Sequence, residues 1–141
     1  MKRAIFPLVF CLALATVPAC GSDSTSPDTG TSTSTITETF SSLIQEKGSA
    51  TRSFKVDTAG TVGLQLITLS QSGAVVGLAL GTFSGTTCTI TKSVQTASDG
   101  TSNAPQISSS LSAGDYCVRV SDVGNLNTIV TFTVYITKPA A

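Results

Sequence analysis

Serine and threonine hydroxyls are the abundant side chains of this 141-residue chain that resemble catalytic nucleophiles. A hydroxyl attacks a substrate only when a neighbouring base removes its proton. The sequence has no histidine, which is the commonest base, and no Ser-x-x-Lys or Gly-x-Ser-x-Gly motif. We therefore expect a protein that is not an enzyme and that needs no cofactor.

Three carboxylates stand at predicted turns, Asp99, Asp115 and Asp122. Such oxygens are ligands for Ca²⁺, but the ion needs six or more of them, and the chain has no Asp-rich loop with suitable spacing. Asp at a turn more often accepts hydrogen bonds from the backbone. The sequence therefore predicts turn and cap chemistry at these positions and no metal site.

Cys88 and Cys117 form the one cysteine pair outside the amino-terminal segment. In an exported protein such a pair predicts a disulfide, and two cysteines without histidine do not complete a zinc site. In a strand, alternate residues point to the same face. By this alternation Cys88 would share a face with Ile90, whereas Cys117 would point away from the face of Tyr116 and Val118. The two thiols would then point to different faces, so we expect the disulfide at a strand end, where the phase is loose.

Residues 1–19 have the pattern of a secretory signal peptide. Lys2 and Arg3 give a basic start, and an apolar run follows from Ala4 to Ala19. The run is shorter and more interrupted than the roughly 20 apolar residues that a membrane-spanning helix needs. We predict that these residues direct export and are then removed.

The end of this segment, Val17-Pro18-Ala19-Cys20, resembles the lipobox of bacterial lipoproteins. The resemblance implies that Cys20 becomes the first mature residue and carries a lipid, while Cys11 is discarded with the signal. Acyl chains contribute about 0.8 kcal/mol per buried methylene, so several of them hold a protein on a membrane. The expected location is the bacterial cell envelope, with the membrane as partner through Cys20. The alternative is ordinary cleavage nearby, which leaves Cys20 as a free thiol in a secreted protein.

Residues 20–35 are predicted to be the lipidated cysteine and a flexible linker. After Cys20 the segment is composed almost entirely of Ser, Thr, Gly, Asp and Pro, so it has nothing to bury. Fifteen such residues have a root-mean-square span of about 20 Å. Without the signal peptide, six basic residues face eight acidic ones, a net charge of −2. That balance argues against nucleic acid or an anionic lipid surface as a partner.

Residues 36–141 carry short β-branched runs that alternate with polar residues and are separated by Gly, Asp and Asn. No stretch keeps an apolar period of 3.6 residues, so the domain is predicted to be all-β. This pattern indicates an antiparallel β-sandwich or a small barrel. About eight strands are predicted, around Thr37 to Ile44, Phe54 to Val56, Val62 to Leu66, Val76 to Leu80, Cys88 to Val94, Ile107 to Leu111, Tyr116 to Val120 and Val130 to Ile136.

The order of these segments resembles the bacterial pre-peptidase C-terminal (PPC) domains and related domains of envelope lipoproteins. The matching residues are Ser53-Phe54-Lys55-Val56, Ala59-Gly60-Thr61-Val62, Leu111-Ser112-Ala113-Gly114-Asp115-Tyr116-Cys117-Val118-Arg119-Val120 and Val130-Thr131-Phe132-Thr133-Val134. The resemblance covers about Thr37 to Thr137 and implies a jelly-roll-like β-sandwich. Members of this family usually accompany secreted hydrolases. The resemblance therefore also implies a role in secretion or in contact with a substrate or surface.

Two functional hypotheses follow. The first is a lipid-anchored module that presents its sandwich to a glycan, a cell-wall polymer or a protein. Sugar recognition uses exposed aromatic rings, and Tyr135 alternates with Val134 and Ile136, so it is predicted to face solvent. Tyr116 shares a phase with two valines and is predicted to be in the core. An ordinary half-exposed strand tyrosine is the alternative interpretation of Tyr135.

The second hypothesis is a structural envelope component that assembles with a partner protein or with itself. Threonine-rich strands with few charges leave sheet edges unblocked, and unblocked edges pair with other strands.

Overall fold

A computed structural model describes residues 34–97 and 104–141. The predicted signal peptide, the lipidation site at Cys20, the linker up to residue 33 and the carboxylate of Asp99 lie outside the described residues. Those predictions are not tested by the structure.

Each predicted strand is present, and most extend a few residues beyond the alternating core that predicted them. The bounds are β1 (Thr35–Ile44), β2 (Ser49–Val56), β3 (Gly60–Leu69), β4 (Val76–Ser84), β5 (Thr87–Thr96), β6 (Ile107–Leu111), β7 (Gly114–Asp122) and β8 (Val130–Pro139). The described residues contain no helix of the length and hydropathy that a membrane crossing requires.

The strands form two four-stranded sheets, β1-β8-β3-β6 and β2-β7-β4-β5, in which every pair is antiparallel. The sheets pack as a sandwich, and their strand order is that of a jelly roll. The predicted fold class is therefore confirmed, and the barrel alternative is wrong. Most connections cross between the sheets, so neighbours within a sheet are distant in sequence.

The core lies between the sheets and is built from the alternate residues that the pattern selects. Phe40 of β1 and Phe132 of β8 meet edge to face, with ring centroids 5.1 Å apart. Tyr116 packs against the core as predicted, and its hydroxyl donates a hydrogen bond of 3.0 Å to the Ser112 carbonyl. That bond satisfies the polar end of a half-buried ring.

A β-bulge interrupts β5, so the single alternation predicted from Cys88 to Val94 is wrong. Leu80 pairs with Lys92 but Gly81 pairs with Ile90, so Thr91 is an extra residue. The extra residue places Cys88 and Ile90 on the outer face of the sheet, where Ile90 is 37% exposed. The two thiols therefore lie on the same face. Cys88 is at the start of β5, in line with the expected strand end, whereas Cys117 lies within β7.

Cys88 and Cys117 form the predicted disulfide on the outer face of the second sheet. Cys88 is on β5 and Cys117 is on β7, and these strands lie on either side of β4. In a flat sheet the two strands would be about 9.6 Å apart. The Cα atoms of Cys88 and Cys117 are instead 5.9 Å apart, so the β4–β5 hairpin must fold over towards β7 at the bulge. Gly81 lies beneath the bond, where a Cβ would be 3.1 Å from the Cys117 sulfur and would collide with the Thr89 carbonyl.

Candidate functional site

The outer side of the first sheet is a broad surface of hydroxyl and amide groups, which we call the hydroxyl face. Its outward residues are Thr35, Thr37, Thr39, Ser41 and Leu43 of β1, Thr131, Thr133, Tyr135 and Thr137 of β8, Thr61, Gly63, Gln65 and Thr68 of β3, and Ser108 and Ser110 of β6. These four strands lie wholly within the described residues, and none of these outward positions carries a charged side chain. The two charged residues of the strands, Glu38 and Lys138, are on the opposite alternation phase.

Tyr135 lies near the middle of the hydroxyl face. It is 39% exposed, as predicted. Its register partners are Thr39 on β1 and Gln65 on β3, so a hydroxyl and an amide flank the ring. Directly opposed residues on one face have Cβ atoms about 5 Å apart. An aromatic surface with polar side chains on two sides is an arrangement that binds sugar rings.

Hydroxyls of β1 and β8 are joined in pairs across the strands. The Thr37 and Thr137 oxygens are 3.3 Å apart, and the Ser41 and Thr133 oxygens are 3.0 Å apart. A hydroxyl both donates and accepts, so each pair keeps further hydrogen-bonding capacity for a ligand or water. The pairs also fix the side-chain directions on this part of the face.

A groove of about 270 Å³ lies next to Tyr135 along the strands, and Gln65, the register partner of Tyr135, is one of its lining residues. Gly63 is at its floor, and Pro105, in the segment before β6, forms one wall. A Cβ on Gly63 would lie 3.1 Å from two Pro105 ring atoms, so glycine allows the proline to approach the sheet. The other lining residues are Thr35, Thr61, Gln65, Ser108 and Thr137.

The side chain of Gln106 holds the Pro105 segment on β3. Its Oε1 accepts a hydrogen bond of 2.8 Å from the Leu66 N–H, and its Nε2 donates one of 3.4 Å to the Leu66 carbonyl. The amide thereby continues the β3–β6 pairing one step beyond Ile107 and satisfies backbone groups beside the β3 bulge. The groove wall is therefore fixed by hydrogen bonds without a ligand. Sequence reasoning missed this arrangement, because the residues that pair between β3 and β6 are 43 to 51 positions apart in the chain.

A second, larger cavity of about 490 Å³ lies on the other sheet, under the folded hairpin. It is lined by Phe83 and Gly85 of the hairpin together with Ser53, Phe54, Lys55 and Asp115. Lys55 pairs with Asp57 at 3.1 Å, so the cation already has a counter-ion. With charges of both signs and one cation paired, this cavity favours no single class of ligand.

Asp122 performs the predicted turn chemistry. Its Oδ2 accepts the Lys47 N–H at 2.8 Å, and its Oδ1 accepts the N–H groups of Gly124, Asn125 and Leu126. The bond from the Lys47 backbone is the chief cause of a lowered pKa for this carboxyl. The carboxylate thus ties the β1–β2 connection to the loop after β7.

Asp115 and Asp122 do not come together. They lie at opposite ends of β7, and seven residues of extended strand span about 23 Å. These two carboxylates therefore cannot share a calcium ion. In residues 34–97 and 104–141, no group of three or more His, Cys, Asp or Glu side chains is arranged to hold a metal.

An ion cluster between the sheets was not predicted from the sequence. The Lys138 side chain is 6% exposed, and its Nζ lies 2.6 Å from Glu38 Oε1 and donates to the Lys55 carbonyl. Arg52 Nη2 is 3.4 Å from the other Glu38 oxygen, and its Nη1 donates to the Thr39 carbonyl at 2.5 Å. The cluster joins β1 and β8 of one sheet to β2 of the other. Glu38 and Lys138 are on the inward phase of β1 and β8, and their contacts with each other explain why these charged residues tolerate that position.

No protein-family model matches the chain, and a comparison with curated proteins finds no significant match. The function is therefore inferred from the residues of the hydroxyl face and from the amino-terminal sequence.

Proposed function

We propose that this protein is a lipid-anchored, non-catalytic component of a bacterial cell envelope that binds a glycan or cell-wall polymer on its hydroxyl face. The observation that carries the proposal is the position of Tyr135, an exposed ring on an uncharged surface beside a preformed groove. The resemblance to PPC domains is consistent with it, because it implies contact with a substrate or surface.

The chemistry of the face suits a carbohydrate. Sugars present C–H surfaces that pack on aromatic rings, and hydroxyls that pair with groups able both to donate and to accept. Thr39 and Gln65 supply such groups on either side of Tyr135. The rigid strands hold these side chains in place, which lowers the entropy lost on binding.

Retention of the full chain, purified in detergent, on insoluble polysaccharides and isolated cell-wall material tests the binding proposal. Tyr135→Ala should weaken retention at least tenfold, which corresponds to about 1.4 kcal/mol. Ile90→Ala is the matched control, since Ile90 is 37% exposed on the opposite sheet and Tyr135 is 39% exposed. Absence of saturable retention on every matrix would refute the glycan proposal.

The anchoring proposal has support of its own. The lipobox-like Val17-Pro18-Ala19-Cys20 predicts lipidation, and the Cys88–Cys117 disulfide favours an oxidising compartment such as the one reached by export. Cells expressing the full chain and fed a labelled fatty acid should incorporate the label into it. Cys20→Ser should abolish incorporation, and an equally labelled variant would refute lipidation at this residue.

Assembly through a sheet edge is the second candidate, and the edge strand β5 favours it. β5 pairs only with β4, and its ten residues are mostly exposed and include a single charge, Lys92. Edges of this length with so few charges pair readily with another strand. Sedimentation of the full chain over a range of concentrations distinguishes the candidates. Reversible oligomers that Gln95→Lys dissociates would favour assembly, whereas a monomer that retains a polysaccharide would favour recognition.

A further inference from the structure

We infer that the groove beside Pro105 is a subsite for one ring of an uncharged polysaccharide, whose neighbouring ring packs on Tyr135. This inference rests on the proposed function and specifies where the polymer lies and which class of polymer it is.

The groove and Tyr135 are continuous on the hydroxyl face. Thr137 follows Tyr135 by two residues on β8, and Gly63 precedes Gln65 by two residues on β3. Thr137 and Gly63, which line the groove, are therefore displaced by about 7 Å along the strands from Tyr135 and Gln65. That displacement is comparable to the repeat of a sugar polymer, so one chain can occupy both positions.

The groove has the chemistry that a sugar ring requires. Five of its seven lining residues carry a hydroxyl or amide, which matches the mixed donors and acceptors around a sugar ring. Pro105 contributes an apolar wall for the C–H surface, and Gly63 leaves the space. Gln106 holds the Pro105 wall in place, so the wall loses little conformational entropy when a ligand binds.

The same lining selects against charged polymers. None of the seven residues is ionisable, so a buried carboxylate or ammonium of a ligand would lose its hydration without gaining a counter-ion. Lys92 lies at the β6 margin of the groove, where its Nζ donates a hydrogen bond of 2.6 Å to the Ser108 carbonyl. Lys92 is therefore the residue through which an acidic polymer would bind, and it provides the competing test.

Electrophoresis of the full chain in native detergent gels containing a single soluble polymer tests the inference. The uncharged probes are hydroxyethylcellulose, galactomannan and dextran, and the charged ones are polygalacturonate and chitosan. We expect retardation by at least one uncharged polymer and by neither charged one. Ser108→Phe should fill the groove and weaken that affinity at least tenfold, whereas Ser93→Phe, the same change on the exposed edge of the other sheet, should leave it unchanged.

A more conservative variant guards against misfolding of Ser108→Phe. Thr137→Val keeps the shape of the side chain but removes its hydroxyl, and it should weaken the affinity several-fold with an unchanged urea midpoint. Loss of retardation in Tyr135→Ala but in neither groove variant would overturn the subsite and leave the proposed function standing. Retardation by polygalacturonate that Lys92→Gln abolishes would overturn the uncharged ligand. Absence of retardation by every polymer would overturn the subsite and the proposed function together.

Discussion

Glu38 lies between two cations that differ sharply in exposure, and this asymmetry makes a quantitative prediction. The Lys138 side chain is 6% exposed and 2.6 Å from the carboxylate, whereas Arg52 is 41% exposed and 3.4 Å away. Glu38→Gln removes the negative charge from both cations. Lys138→Met removes only the buried cation and leaves Glu38 paired with Arg52.

The two substitutions should therefore differ in cost. Removing one partner of a buried ion pair costs about 3–5 kcal/mol. Glu38→Gln should cost less, about 2 kcal/mol, because the amide oxygen and the Lys55 carbonyl still accept hydrogen bonds from Lys138. Lys138→Met should cost at most about 1 kcal/mol, because an apolar chain replaces the buried cation and the remaining carboxylate is partly hydrated.

A double-mutant cycle measured by urea unfolding at pH 7 isolates the pair. Glu38→Gln combined with Lys138→Met should cost about 1 kcal/mol, well below the sum of about 3 kcal/mol, because the second substitution removes the stranded ammonium. Far-UV circular dichroism reports unfolding of the sandwich, and an unchanged slope with urea shows that the unfolded state is unaltered.

Additive costs, or a larger cost for Lys138→Met than for Glu38→Gln, would refute this reasoning. Additive costs would mean that Lys138 is hydrated despite its low exposure, and a larger cost for Lys138→Met would mean that the Glu38 carboxylate is the less hydrated partner. Lys47→Met is a suitable control, because the Lys47 side chain is 86% exposed in its pair with Glu46, and such pairs contribute at most about 1 kcal/mol.

Three further variants test other parts of the fold. Replacing Cys88 and Cys117 with alanine should lower the free energy of unfolding by about 3.6 kcal/mol in urea, because the bond closes a loop of 29-residue separation; a loss below about 1 kcal/mol would contradict the loop-entropy account. Gly81→Ala should lower the melting temperature, because the added Cβ meets a backbone carbonyl and the disulfide sulfur; an unchanged melting temperature would exclude the folded hairpin. The pKa of Asp122 is lowered from 3.8, chiefly by the Lys47 N–H, so its contribution is complete above the ordinary pKa and is lost as the pH falls through the lowered one. Asp122→Asn should therefore be less stable at neutral pH and should lose less stability on acidification, and equal losses in both proteins would argue against this role.

Alternation and turn residues were sufficient to predict the strands. A strand that buries one face has an apolar residue at every second position, and this pattern is visible in the sequence. The pattern failed at β5, where Thr91 is an extra residue opposite β4. A bulge is a property of two paired strands, and nothing in the run from Cys88 to Val94 marks it. The disulfide was nevertheless predicted, since its prediction depended on the number of cysteines and the expected compartment.

The site was predictable only as far as local sequence determines it. Exposure of Tyr135 follows from its position between Val134 and Ile136. The groove beside it needs Gly63, Pro105 and Thr137, which come together only through the pairing of β3 with β6 and β8. The register between strands that are distant in sequence depends on the packing of the whole sandwich, so no short sequence motif predicts the groove.

The pairing of β1 with β8 has a mechanical consequence. Ten consecutive residue pairs join the strands, from Thr35 opposite Pro139 to Ile44 opposite Val130. Tension applied at residue 34 along the strand axis, with β8 held fixed, loads all ten pairs in shear, so they must fail together. Tension across the sheet would instead open them one at a time, beginning at Thr35. A domain held at this end would therefore withstand drag along its strands far better than a pull that peels β1 away.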